Sequence, residues 1–107
     1  MPISLGTRNP DKLLKQIGAA LAAYAAARPE AAIKAYRQNS VSVRVRVIDP
    51  GFRQKSRAQR EDEVWSVLNE LPEDAVAEIS LLLLLTPGEA QKSFANHEFD
   101  NPVPSKL

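Results

Sequence analysis

The chain has 107 residues and a mass of 11.8 kDa, which is room for one domain with one modest hydrophobic core. A hydrophobic fraction of 44% and a charged fraction of 25% exclude a wholly disordered chain. No cysteine and a single histidine, His97, exclude disulfides, thiol catalysis, cysteine-held clusters and multi-histidine zinc sites.

The formal net charge of +1 conceals an uneven distribution. Residues 1–60 carry twelve Lys/Arg against three Asp/Glu, and residues 61–107 carry two against ten. The halves of a single domain mix in space, so mutual neutralisation is the plainer expectation; the sharper one is a basic face open to a polyanion. The uncharged, alanine-rich stretch 17–27 is too short to span a bilayer and follows a charged helix opening. A cytoplasmic protein without membrane contact is expected.

In chain order, residues 1–8 read as an N-terminal arm. Asn9 is placed to cap a helix and Pro10 suits its first position. Leu13, Leu14, Ile17, Leu21 and Tyr24 recur at helical spacing up to about Ala27, before Arg28-Pro29. Val41, Val43, Val45 and Val47 alternate with Ser42, Arg44, Arg46 and Ile48, a period-two strand. With Asn39-Ser40 as a tight turn, residues 31–48 form a β-hairpin, although the alanines of its first arm favour helix by propensity. Asp49-Pro50-Gly51 ends the hairpin.

Ser56-Arg-Ala-Gln59 has the form of a capping box and opens a helix whose apolar face is Val64, Val67, Leu68 and Leu71. Pro72 ends it. Leu81–Leu85 reads as a buried strand, and Thr86-Pro-Gly-Glu89 caps a helix reaching about Asn96. Residues 97–107 form an irregular tail. The expected fold is one α+β domain over residues 9–96, in the order α-β-β-α-β-α. It has a three-stranded mixed sheet with helices on one face, the last strand parallel to the second.

The segment Val45-Arg-Val-Ile-Asp-Pro-Gly-Phe-Arg-Gln-Lys-Ser-Arg-Ala-Gln-Arg60, with Val64, Leu68 and Thr86-Pro-Gly-Glu89, resembles the BolA family. Phe52, Lys55, Ser56, Arg60, Thr86, Pro87 and Glu89 match its short motifs. The resemblance implies a fold like the type II KH domain, and it implies iron–sulfur cluster sharing with monothiol glutaredoxins. The family's glycine before Lys-Ser is Gln54 here, its Arg-His pair is Arg60-Glu61, and its later histidine falls at or beside Glu78. The resemblance therefore points to a divergent member lacking the His and Cys ligands, for which glutaredoxin cluster-sharing is not expected. Gly51-Phe-Arg-Gln54 also lacks the second glycine of a KH loop.

Arg53, Lys55, Arg57 and Arg60 gather where the Ser56 helix begins, and helix N-termini attract anions. Arg44 and Arg46 share one face of their strand, with Lys34 and Tyr36 beside them if the hairpin register holds. These six arginines and lysines, Arg44, Arg46, Arg53, Lys55, Arg57 and Arg60, are the candidate nucleic-acid or anion site. The plainer reading is a solvated basic turn answered by Glu61, Asp62 and Glu63, with a Tyr–Arg contact on the sheet.

Five consecutive leucines leave apolar side chains on both faces of their strand, and one helical layer covers only one. Phe94, Phe99 or Val103, a second subunit or a partner must cover the other. The tail is expected to fold back over it, in the same chain or on a second copy. Tyr36, Leu82, Leu84 and Phe99 mark the candidate interaction surface.

No catalytic constellation is visible: Ser56 is a cap, Ser80 a strand residue, and Glu61-Asp62-Glu63 fan around a helix. The expected function is that of a non-enzymatic interaction protein binding a partner protein, or itself, through its sheet face or tail. The alternative is a KH-like nucleic-acid binder. Neither a cofactor nor a metal is expected.

Overall fold

Alternation of Val43, Val45 and Val47 with Arg44 and Arg46 gives one strand an apolar and a polar face, and that strand is the middle of the molecule. The computed structural model describes residues 3–102. In chain order these form β1 (Ile3–Leu5), α1 (Lys12–Ala26), β2 (Ala32–Asn39), β3 (Ser42–Ile48), a 3-10 turn (Pro50–Phe52), α2 (Arg57–Leu68), α3 (Glu73–Glu78), β4 (Ile79–Leu85), α4 (Pro87–Lys92) and α5 (Phe94–Asp100). The four strands lie side by side in the order β1-β2-β3-β4. β1 runs parallel to β2, β2 antiparallel to β3, and β3 parallel to β4 through the α2–α3 crossover.

The register assigns every side chain to a layer. Ile33 pairs with Val47 and Ala35 with Val45, while Leu82 and Leu84 pair with Val45 and Val47. These residues face α1 and α2 and close over Leu14, Ile17, Leu21, Phe52, Val64 and Leu68, which form the main core. Gly18 lets α1 approach β1, since a Cβ there would lie 3.1 Å from a Leu5 methyl. Lys34 pairs with Arg46 and Tyr36 with Arg44, and Leu81, Leu83 and Leu85 follow on the same, opposite face. A smaller second core forms there from Tyr36, Leu83 and Phe99, flanked by Leu81 and Leu85.

Local signals placed several ends correctly. Ser56 and Gln59 form a reciprocal capping box on α2, and Thr86 and Glu89 do the same on α4. The turn of the hairpin is Ser40-Val41, one residue later than Asn39-Ser40, because the register shifts between Arg37 and Asn39. The cap of α1 is Asp11, not Asn9, and its carboxylate is drawn away to Arg37 at 2.8 Å, leaving no side-chain cap bond.

The α-β-β-α-β-α order with a three-stranded sheet is not the fold of this chain, and with it falls the BolA and KH architecture that the resemblance implied. The arm supplies a fourth strand, β1, whose three residues carry too little periodicity to show in sequence and are held by pairing with β2 about thirty positions away. Helices cover both faces rather than one, since α5 lies on the second face. The Ser56 helix ends at Leu68, before Pro72, and a short further helix, α3, follows where only a turn was read; the helix read as continuous to about Asn96 is broken into α4 and α5 at Ser93. The tail drawn from residue 97 is helical as far as Asp100, and Val103 lies outside the described residues.

The two oppositely charged halves neutralise each other. Among the described residues, eight of nine ion pairs join a cation of residues 1–60 to an acid of residues 61–107.

Candidate functional site

β4 is an edge strand, and its backbone defines what that edge offers. The Asp49 amide donates to the Leu85 carbonyl at 2.9 Å, so the polar groups of Leu85 face β3. Backbone direction alternates along a strand, so Leu83 and Leu81 also face β3, while Leu82 and Leu84 turn their N–H and C=O groups outward. The Leu84 carbonyl accepts from Arg60 Nη1 at 3.1 Å. The Leu84 amide and both backbone groups of Leu82 have no protein partner among the described residues. Beside this edge lies a cleft of about 220 Å³, lined by Leu82 to Leu85 and by Arg57, Arg60 and Glu61 from the first turns of α2.

Arg60 closes one end of the cleft from within. It donates to the carbonyls of Lys55 at 3.1 Å, Phe52 at 3.0 Å and Leu84, and to Glu89 at 2.6 Å, with its guanidinium 5.5 Å from the centre of the Phe52 ring. Hydrogen bonding from Arg60, then from the Thr86 amide, pushes the Glu89 carboxyl down to about 2. Lys55 is 2.6 Å from Glu63, which also accepts from Arg28. Arg57 is 89% exposed and only 3.9 Å from Glu61, a loose contact. The Arg53 side chain is exposed and has no partner among the described residues.

On the second face the strand arginines meet acids carried by α5. Arg44 Nη1 donates to both carboxylate oxygens of Glu98 at 2.8 Å and to the Tyr36 hydroxyl at 3.3 Å. Burial works against the Arg44 charge, but Glu98 and Tyr36 outweigh it and hold the guanidinium above its ordinary value. Arg46 reaches Asn96 at 3.0 Å and Asp100 at 2.8 Å, and lies 4.7 Å from the Phe99 ring centre. The Phe99 and Tyr36 rings meet edge to face at 4.8 Å.

The six candidate anion-binding cations thus fall into two separate groups. Arg44 and Arg46 are under α5, and Arg60 and Lys55 are committed to internal partners, which leaves Arg53 and Arg57 open. Of the candidate interaction residues, Tyr36 and Phe99 form the second core. The Leu82 and Leu84 side chains enter the main core, so what these two leucines present outward is backbone.

Glu98 and Asp100 were not singled out in the sequence, and Glu89 was read as a cap but not as the partner of Arg60, because nothing local ties an acid on a late helix to an arginine 29 or 54 residues earlier. Asp49 was also missed: it is buried, its Oδ1 accepts from the Gly51 amide at 2.8 Å, and its Oδ2 has no partner among the described residues. The nearby Tyr24 hydroxyl is likewise unpartnered. Burial pushes its phenol up to about 12, against the pull of Arg28 and with help from Glu63 and Asp49. Among the described residues no group of three or more His, Asp or Glu side chains is arranged to hold a metal ion, and no helix is long and apolar enough to cross a membrane.

No protein-family model, curated protein or solved structure matches the chain. The residues that suggested BolA have local explanations instead. Ser56 and Thr86 are caps, Pro87 starts α4, and Arg60 ties Phe52, Lys55 and Glu89 into one network.

Proposed function

We propose that this chain is a non-enzymatic interaction protein that takes up an extended strand along the outer edge of β4. The observation that carries the reading is the pair of outward-facing residues Leu82 and Leu84. Apart from the Leu84 carbonyl, which Arg60 engages, their backbone groups have no partner among the described residues and line a cleft flanked by Arg57, Arg60 and Glu61. Main-chain bonds of this kind give affinity in strand addition, and the flanking side chains give selectivity. The sheet face, by contrast, is already occupied by α5, and four of the six candidate cations are paired with the chain's own acids, so the polyanion reading has less support. A cytoplasmic setting belongs to the same proposal and rests on the sequence alone.

The probe is a lysine-flanked synthetic peptide of residues 79–85, titrated into the labelled protein while amide exchange is followed by NMR. Protection of the Leu82 and Leu84 amides, with α5 unchanged, is the expected result. Amides that still exchange freely at Leu82 and Leu84 with saturating peptide, or a response confined to α5, overturn the reading.

A further inference from the structure

We propose that the strand taken up by β4 is β4 of a second copy of this chain, paired antiparallel about a two-fold axis at Leu83. The inference rests on the reading of the β4 edge as a docking edge and supplies its occupant.

The edge is self-complementary. Its outward residues, Leu82 and Leu84, flank Leu83 symmetrically, so an axis there lets Leu82 of each protomer exchange backbone bonds with Leu84 of the other. The Leu84 carbonyl keeps a lone pair for this beside its bond from Arg60. Cross-strand neighbours share a face, so the same axis sets Leu81 against Leu85 and Leu83 against itself. At the ends it sets two uncharged residues, Ser80 and Thr86, against each other.

Beyond the Arg60 bond to the Leu84 carbonyl and a register shift at Ser80, the edge carries little of the protection that monomeric proteins use. β4 is seven residues long and contains no charge, proline or glycine, whereas the opposite edge strand, β1, has only three residues. An uncharged leucine edge of this length invites pairing with another strand, and its own sequence is the partner that fits both faces.

Charge supports the same axis. Arg57 and Glu61 stand one turn apart on α2 and both line the cleft beside the edge. Pairing β4 antiparallel brings the two α2 helices alongside in opposite directions, with Arg57 of each facing Glu61 of the other. Arg57 is 89% exposed and only loosely held within its own chain, so it is available to a partner.

Analytical ultracentrifugation of the full chain and of two surface variants tests this. The unaltered protein is expected to dimerise at micromolar concentration. Arg57→Glu alone sets acid against acid, and Glu61→Arg alone sets base against base, so each is expected to weaken self-association by roughly tenfold or more. Mixing the two variants is expected to restore a heterodimer, because every contact across the axis is again between opposite charges. The intrachain pair stays broken in both, so recovery reports the interface alone.

A monomeric unaltered protein whose Leu82 and Leu84 amides are still protected by the 79–85 peptide overturns the second copy while leaving the edge reading standing. A monomer with neither response overturns both. A dimer indifferent to the charge variants, or one in which the Leu82 and Leu84 amides exchange freely, uses another surface and overturns the proposal.

Discussion

The Tyr36 hydroxyl donates to the backbone carbonyl of Phe99 at 2.8 Å, joining β2 to a helix 63 residues later in the chain. The same oxygen accepts from Arg44, whose other contacts go to Glu98. Tyr36 thereby holds α5 against the second face by its ring and by its polar end together. Tyr36→Phe keeps the ring and removes the donor, leaving a buried carbonyl unsatisfied. It is expected to lower unfolding stability by about 1–2 kcal/mol in a denaturant titration. An unchanged midpoint would show that the bond contributes nothing to anchoring α5.

Phe99 is the cover of the second face and is fully buried. Phe99→Ala removes the ring that meets Tyr36 and Arg46 and bares Leu81, Leu83 and Leu85. A loss of about 3–5 kcal/mol is expected, together with increased binding of an apolar dye. Thermal unfolding and dye fluorescence check it; a variant as stable and no more adherent would mean that α5 is not the cover.

Arg60 links three backbone carbonyls and Glu89, with its side chain 11% exposed. Arg60→Ala is expected to cost about 2–3 kcal/mol, since buried carbonyls lose their donors. Arg60→Lys is expected to recover less than half of that, because an ammonium lacks the planar fork that spans Phe52, Leu84 and Glu89. Full rescue by lysine, read from denaturant midpoints, would contradict the role of the fork.

Glu89 gives this network a pH dependence whose sign is set by its depressed carboxyl. Folded Glu89 titrates at about 2 against an ordinary 4.5. Its contribution is therefore complete above about 4.5 and is lost as pH falls toward 2. Glu89→Gln retains an acceptor for the Thr86 amide but does not titrate. Melting curves across this range are expected to decline less steeply for the variant than for the unaltered protein; parallel declines would exclude Glu89 as a source of the acid sensitivity.

Gln54 sits at φ 70°, in the left-handed region, at the turn between the 3-10 segment and α2. A side chain there costs about 1–2 kcal/mol, and glycine removes that cost at the expense of some unfolded-state entropy. Gln54→Gly is expected to stabilise the protein by about 0.5–1 kcal/mol. A destabilised variant would mean that the Gln54 side chain supplies something its backbone does not reveal.

Sequence by itself determined the features that depend on near neighbours. The Ser56 and Thr86 caps, the helical stripe of α1, the hairpin and the leucine strand follow from spacing and turn chemistry, which act over a few residues. The sequence also showed that the leucine strand needed cover on two faces, and Phe99 was among the residues named for it. Tertiary structure alone decided which leucines face which way, because a shift of one position exchanges the faces and only pairing with β3 sets the position. It alone recruited Ile3–Leu5 as a fourth strand, and it alone matched Arg44, Arg46 and Arg60 with Glu98, Asp100 and Glu89. Those partners lie far apart in the chain, and opposite charges carry no address: folding first brings the sheet face and α5 together, and proximity then selects each pair.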